Sequence, residues 1–382
     1  MLVLEALRAK FGDALLLHSG TKTAPQLTVI DGGPPGVYLD ALKPRLQQLR
    51  AARKLKPTTP LDIDLMMVSH IDDDHITGLL ELTRQLNEQR EAGDPLPWKI
   101  QRFWHNSFDD LLDNDDLAVA STASMMSPAG LGGELEAPGS AILASVKQGR
   151  ELRNLVSALT LTGNKPFGGL ILAGGAKAKV TVGDLTVTVV GPSRANLVKL
   201  RKKWDTEIKP LLKAGKPAAR AEIAAYVDDS VHNLSSLVLL VESQGKRVLL
   251  TGDGRGDHTL DGLDGAKLLK KGKLRVDVLK VPHHGSIRNV DKDYFETIVA
   301  DHYVISADGK NDNPDVDTLK MLTAVRKDDD FTIHLTYEPK DFSVKAIGQA
   351  VAKFFAAQRK AGRTYKVATR PASELALRLP LA

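Results

Sequence analysis

The stretch Ser69-His70-Ile71-Asp72-Asp73-Asp74-His75-Ile76-Thr77-Gly78 decides how this chain is read. It follows Ile63–Val68, an apolar run of strand length interrupted only by Asp64, and precedes Ile76–Gln89, whose apolar spacing predicts a helix. His70, Asp72, Asp74 and His75 are four ligand-type side chains within six residues. A tight loop after a strand can aim such imidazoles and carboxylates at cations. The plainer alternative is an Asp-rich polar turn.

Working outward, other strand ends carry the same kind of residue. Leu2–Leu7, Ala14–His18 and Gln26–Ile30 read as strands, and the third runs into Asp31-Gly32-Gly33-Pro34. Tyr38–Leu55 has helical spacing. Leu234–Val241 and Arg247–Thr251 read as a hairpin across Ser243–Lys246, ending in Thr251-Gly252-Asp253. Val276–Val281 delivers Pro282-His283-His284-Gly285-Ser286. Further strands are expected at Lys179–Val182, Leu185–Val190, His302–Ser306 and Phe331–Leu335. Helices are expected at Ala141–Thr160, Thr259–Lys271, Val316–Arg326 and Ser343–Arg359, with two more in Ser193–Tyr226. Alternating buried strands and amphipathic helices predict α/β layering. Residues 105–177 lose this regularity and read as a helical and loop insertion, or lid, within a single domain spanning 1–382.

Composition narrows the chemistry. The 382 residues are 42% hydrophobic and 26% charged, enough for a sizeable core, and only 5% aromatic, so aliphatic side chains must fill it. With no cysteine, disulfides, thiolate metal sites and a Cys nucleophile are excluded. Any metal must be held by His and carboxylate, which suits zinc, manganese or iron. No apolar run approaches the ~20 residues of a membrane span, and no signal core opens the chain, so no membrane partner and a cytoplasmic location are expected. The net charge of +5 is mild. Its distribution is uneven: nine basic residues lie between Arg194 and Arg220, and a second cluster comprises Lys267, Lys270, Lys271, Lys273, Arg275 and Lys280. Such clusters can track a polyanion backbone; solvated helix faces explain them equally well.

In this motif order the chain resembles the metallo-β-lactamase fold. It is most similar to one branch, the hydrolase domain of the DNA-uptake channel protein ComEC and its stand-alone relatives. The pieces that carry the resemblance are Phe11-Gly12-Asp13-Ala14, Val29–Pro34, Ser69–Gly78, Asn233–Leu240, Leu249–Asp253, Asp277–Ser286 and Val304-Ile305-Ser306. The resemblance implies a four-layer αββα sandwich with two divalent metal ions, Zn²⁺ or Mn²⁺, at one edge. His70 would bind the first metal, Asp74 and His75 the second, and Asp253 would bridge them. His283 or His284 would complete the second site, and Asp31 would hydrogen-bond a ligand from behind. The wider family has a second His where this chain has Asp72, a change shared by the ComEC-like branch, and Asp72 then hardens the first site. His232 stands close to where the family places its third-motif ligand; a surface loop His is the alternative. Asn313-Pro314 replaces the branch's usual His-Pro.

The chemistry implied is attack by a metal-bridging hydroxide, oriented by Asp74 or Asp72, with two metals about 3.5–4 Å apart. Ser286, Asn233, Ser235 and Lys280 are candidates for steadying the leaving oxygen or contacting substrate. Trp104-His105-Asn106 follows a short strand, Lys99–Phe103, so His105 and Asn106 are candidate substrate contacts from the lid side; a His packed on Trp104 is the alternative. The leading expectation is a phosphodiesterase or nuclease acting on nucleic acid or a nucleotide. A hydrolase of a small lactone, thioester or β-lactam uses the same fold, and a non-catalytic metal-containing binding or defence component is the third reading. Whether Arg201–Lys203 and Lys270–Lys273 line the metal cleft discriminates the first two.

Overall fold

The computed structural model describes residues 1–106, 138–175, 177–203, 205–206, 210 and 235–381. The N-terminal half builds a six-stranded sheet in the order β16-β1-β2-β3-β5-β7. Its strands are β1 (Val3–Leu7), β2 (Leu15–Gly20), β3 (Pro25–Ile30), β5 (Leu65–Met67), β7 (Phe103–Trp104) and, from the far end of the chain, β16 (Ala376–Pro380). The short β4 (Leu61–Ile63) pairs with β6 (Trp98–Ile100) alone. The second half builds an eight-stranded sheet, β15-β14-β13-β12-β11-β10-β9-β8. In chain order these are β8 (Lys179–Val182), β9 (Leu185–Gly191), β10 (Val238–Ser243), β11 (Lys246–Leu250), β12 (Leu274–Lys280), β13 (Ile298–Ile305), β14 (Thr332–Leu335) and β15 (Lys366–Thr369).

The two sheets face each other. Leu4, Leu15, Leu17, Ile30 and Met67 of the first share one buried cluster with Val187, Leu239, Val241, Leu250, Val278 and Val304 of the second. Alternate residues of the same strands point outward to helices. On the first sheet, Leu16, Val29, Met66 and Phe103 pack against α1 (Lys43–Ala52), α2 (Asp73–Ala92) and α3 (Pro138–Ala158) through Leu46, Ile76, Leu80, Leu152 and Val156. On the second, Leu240, Leu249, Leu279 and Tyr303 pack against α5 (Gly256–Gly265), α6 (Lys292–Thr297), α7 (Val316–Val325) and α8 (Lys345–Lys360). The layering is therefore αββα, as expected. Strands buried on both faces read as unbroken apolar runs, and β11 to β15 are parallel, consistent with such burial.

Several boundaries differ from expectation for local reasons. Asp64 splits the predicted strand Ile63–Val68 into β4 and β5, because its carboxylate accepts the Leu27 N–H at 2.9 Å. The helix expected from Ile76 starts at Asp73, which puts Asp74 and His75 in its first turn. Tyr38–Leu55 opens as a wide turn, Tyr38–Leu42, before α1. The helix expected over Thr259–Lys271 covers Gly256–Gly265 instead. The hairpin turn is at Gln244-Gly245, both with positive φ (50° and 76°), the two-residue geometry that suits the strand twist. β15, β16 and α6 have no counterpart in the sequence reading. Within 105–177, the described helix α3 packs on α2 in the first helix layer, with Arg84 donating to Glu151 at 2.6 Å. In Ser193–Tyr226 the described helix is α4 (Arg194–Lys203).

Candidate metal centre

The expected ligands meet at the edge of the sandwich where β3, β5, β11 and β12 end, the place where open α/β sheets hold ligands. Asp72 is the N-cap residue of α2, yet its side chain caps no N–H. It faces His70 instead, with Oδ2 3.5 Å from Nε2. Close approach of two backbones sets the rest. A Cβ on Gly78 would lie 1.9 Å from the Gly32 carbonyl oxygen, so only glycine lets α2 sit this close to the turn after β3. That contact brings His75 to Asp31, whose own backbone is left-handed (φ 58°). Asp31 accepts from the Ser69 N–H (2.6 Å), the Ser69 hydroxyl (2.7 Å) and His75 Nδ1 (2.8 Å).

The hydrogen bonds assign the proton of each imidazole. His75 Nδ1–H donates to Asp31. Ser69 Oγ gives its proton to Asp31 and so accepts from His70 Nδ1, 3.1 Å away. His284 Nδ1 donates to the Ser306 carbonyl at 2.9 Å. Asn289 donates its amide to the Asp253 carbonyl, leaving its oxygen to accept from His283 Nδ1 at 2.7 Å. In all four rings the Nε2 lone pair is thereby turned inward, the arrangement that outer hydrogen bonds impose on metal-binding histidines.

All four converge on Asp253. Its Oδ1 lies 3.3 Å from His75 Nε2 and 3.7 Å from His284 Nε2. Its Oδ2 lies 3.7 Å from His70 Nε2 and 3.6 Å from His283 Nε2. Asp74 adds an oxygen 3.4 Å from His284 Nε2. His75 and His284 point Nε2 at each other across 3.2 Å. Two lone pairs so placed repel unless a cation or proton lies between them. Imidazole nitrogens sharing one tetrahedral cation at 2.0–2.1 Å stand about 3.4 Å apart, so the spacing fits. Asp253 Oδ1 is buried with no hydrogen-bond partner among the described residues. His70, His75 and Asp253 form one group able to hold an ion, and His70, Asp72 and Asp74 another.

Charge points the same way. Five carboxyl groups, Asp13, Asp31, Asp72, Asp74 and Asp253, crowd around the four imidazoles. Burial opposes charge on His75, but Asp253, Asp31 and Asp74 overcome it and raise its pKa well above the usual value. His284 is raised too, against burial, by Asp253 and Asp13. Burial and the neighbouring His75 lower His70. Asp253, though buried, is held well below the carboxylate range by His283, His75, His284 and His70.

No family model matches the chain, and no curated protein does. Among solved structures it is similar to the metallo-beta-lactamase fold protein YhfI from Bacillus subtilis, at 10% sequence identity over 99% of each chain, with a TM-score of 0.38.

The remaining expected residues fall differently. His232 and Asn233 lie outside the described residues. Lys280 is 1% exposed and ion-paired to Asp13. The side-chain amide of Asn106 bonds both backbone groups of Ile171 (2.9 and 2.8 Å). His105 is buried against Phe103, ring centroids 5.6 Å apart, and its pKa is pushed down to about 4 by burial. Ser286 is buried and its hydroxyl accepts from the Arg288 N–H at 3.4 Å, closing a turn. Ser235 is buried.

Four residues of the centre escaped the sequence reading as site residues: Asp13, Ser69, Ser306 and Asn289. Asp13 and Lys280 had a readable signal, a charged residue bordering apolar strands. Ser306 and Asn289 had none, because both act on rings distant in the chain. The basic clusters separate. α4 follows the site end of β9, where Gly191 pairs with Val238. Lys270–Lys273 precedes β12, whose seven residues at ~3.3 Å each put it roughly 20 Å from the site edge. A cavity of about 910 Å³, lined by Asp64, Arg102, Lys99 and Lys165 among others, opens at that far edge and holds none of the expected site residues.

Proposed function

We propose that the chain is a metal-dependent hydrolase with two divalent cations, Zn²⁺ or Mn²⁺, acting on a phosphodiester of nucleic acid or a nucleotide. The observation that carries the reading is the convergence of four Nε2 lone pairs on the two oxygens of Asp253. In this reading His70, Asp72 and His283 would hold one cation and Asp74, His75 and His284 the other, with Asp253 serving both. An all-nitrogen-and-oxygen donor set suits both metals. When bound, such cations activate a water and polarise the scissile oxygen.

The protein's own groups do the rest. Asp31, Ser69, Ser306 and Asn289 lock the ring tautomers, so no reorganisation accompanies the reaction. Asp72 and Asp74 are the most open carboxylates of the centre, 24% and 17% exposed, while Asp253 is 2% exposed. They are placed to orient an entering water and take its proton. That opening also supports catalysis over a closed structural metal.

The phosphodiester assignment rests on the basic helix α4 at the same edge. The far location of Lys270–Lys273 removes half of the charge argument and favours, as the second reading, a small lactone, thioester or β-lactam. The test is a hydrolysis panel with Zn²⁺ and with Mn²⁺ over single- and double-stranded DNA, RNA, bis-p-nitrophenyl phosphate and a lactone. Activity on phosphodiesters that Asp74→Ala abolishes is expected. Activity on the lactone alone overturns the substrate class, and unchanged phosphodiester activity in Asp74→Ala overturns the site.

A further inference from the structure

Beneath the metal centre, one charged pair crosses the interior of the sandwich. Lys280 is the last residue of β12, and its side chain points between the sheets, on the same face as Val278. It meets Asp13, from the loop joining β1 and β2, in direct contact. Both side chains are 1% exposed. The other oxygen of Asp13 is 3.6 Å from His284 Nδ1 and has no hydrogen-bond partner among the described residues. Asp13 Oδ2 is 3.9 Å from His75 Nδ1. The Asp13 loop is tied to both halves: Asp13 N–H donates to the Asp74 carbonyl at 3.1 Å, and Ser306 Oγ donates to the Gly12 carbonyl at 2.6 Å.

The ligands of the centre come from different sheets. His70, Asp72, Asp74 and His75 belong to the first; Asp253, His283 and His284 belong to the second. Apolar contact between sheets is non-directional and does not by itself fix their offset. A buried ion pair contributes little net stability relative to apolar residues of the same volume, so its presence points to a role in specifying geometry. We propose that Asp13 and Lys280 are a positioning pair that fixes the two sheets at the metal-bearing edge and holds His75 and His284 from behind. This rests on the metal-dependent reading above.

The test uses the full chain and Co²⁺ as probe, read by calorimetric titration and by the visible spectrum of the bound ion. The double variant Asp13→Leu/Lys280→Met replaces the pair by apolar side chains. It is expected to melt within a few degrees of wild type, yet to bind one of two Co²⁺ equivalents at least about tenfold more weakly, the loss typical of outer ligand partners, with an altered spectrum. Lys280→Arg, which keeps the charge, is expected to recover most of that affinity. Wild-type melting, affinity and spectrum in the double variant overturn the inference alone. Wild-type protein that binds no Co²⁺ overturns it together with the metal reading. If the double variant does not fold, Asp13→Asn carries the test: the same loss of affinity supports the pair, and unchanged affinity overturns it.

Discussion

The two sheets supply the centre in different ways. The first provides a compact piece: His70 before α2, Asp72 at its N-cap, and Asp74 and His75 in its first turn, with Asp72 in ordinary extended conformation (φ −69°, ψ 148°). The second provides Asp253 from one strand end and His283 and His284 from another. Both of these histidines have left-handed backbones (φ 47° and 55°). Such conformations cost roughly 1–3 kcal/mol per residue and persist only when the surroundings impose them. A helix turn can present ligands without strain. A tight turn after a strand presents two adjacent side chains to one carboxylate only by bending the backbone against its preference. The second sheet's contribution is thus the strained one.

Asp253 is where the two contributions meet, so removing it breaks the comparison outright. Asp253→Ala is expected to lower bound metal to near zero and hydrolysis by at least ~100-fold, by analogy with the loss of essential metal-site groups. Metal analysis on the purified variant checks this, and full occupancy would sink the bridging assignment.

His105 offers a control on the first sheet, since it leaves the same edge but turns toward the helix layer. Its folded pKa is about 4, below the ordinary value of 6.5. The unfolded chain therefore takes up a proton that the folded chain refuses. Stability is full above pH 6.5 and falls as pH drops toward 4, by up to about 3 kcal/mol from this residue. His105→Phe should flatten that slope in urea melts at pH 7 and pH 4.5 while leaving metal content unchanged. An unaltered slope would contradict the burial of a neutral ring.

Protons and cations compete for the same lone pairs. His75 and His284 have raised pKa values, so below those values a metal must displace protons. Affinity should rise with pH by up to about tenfold per unit for each proton released. Titrations in buffers of different ionisation enthalpy measure the protons directly, and none released would be inconsistent with this ring environment.

The smallest expected effect tests the strain itself. His283→Gly relieves a left-handed residue and should stabilise the metal-free protein by about 1 kcal/mol, a rise of a few degrees in Tm. The same change should weaken metal binding. Asp73→Ala, in the unstrained first turn of α2, should do the opposite: it loses the Thr77 and Gln148 hydrogen bonds and slightly destabilises the fold, with metal binding intact. Equal behaviour of the two variants would erase the distinction between the sheets.

Much of this was legible beforehand. An α/β layering followed from apolar runs at strand length alternating with helical spacing, and the αββα order from the resemblance in motif order. His70, Asp72, Asp74 and His75 could be grouped because six consecutive residues cannot spread far. Asp31, Asp253 and the His283-His284 pair could be placed at strand ends, and parallel strands gather their ends at one edge. Each of those inferences uses only local periodicity, closeness along the chain or motif order.

What local periodicity does not contain had to come from the tertiary structure. β16 pairs with β1 across nearly the whole chain. The turn at His283 and His284 decides that His284 faces Asp74 and His75 while His283 faces the other oxygen of Asp253. Lys280 and Asn106, polar residues at strand ends like the candidate ligands, turn instead to Asp13 and to the Ile171 backbone. A strand end in the sequence says that a side chain can reach the edge. Which partner it meets there depends on the φ of one residue and on contacts formed by segments hundreds of residues away, and only the assembled sheets fix both.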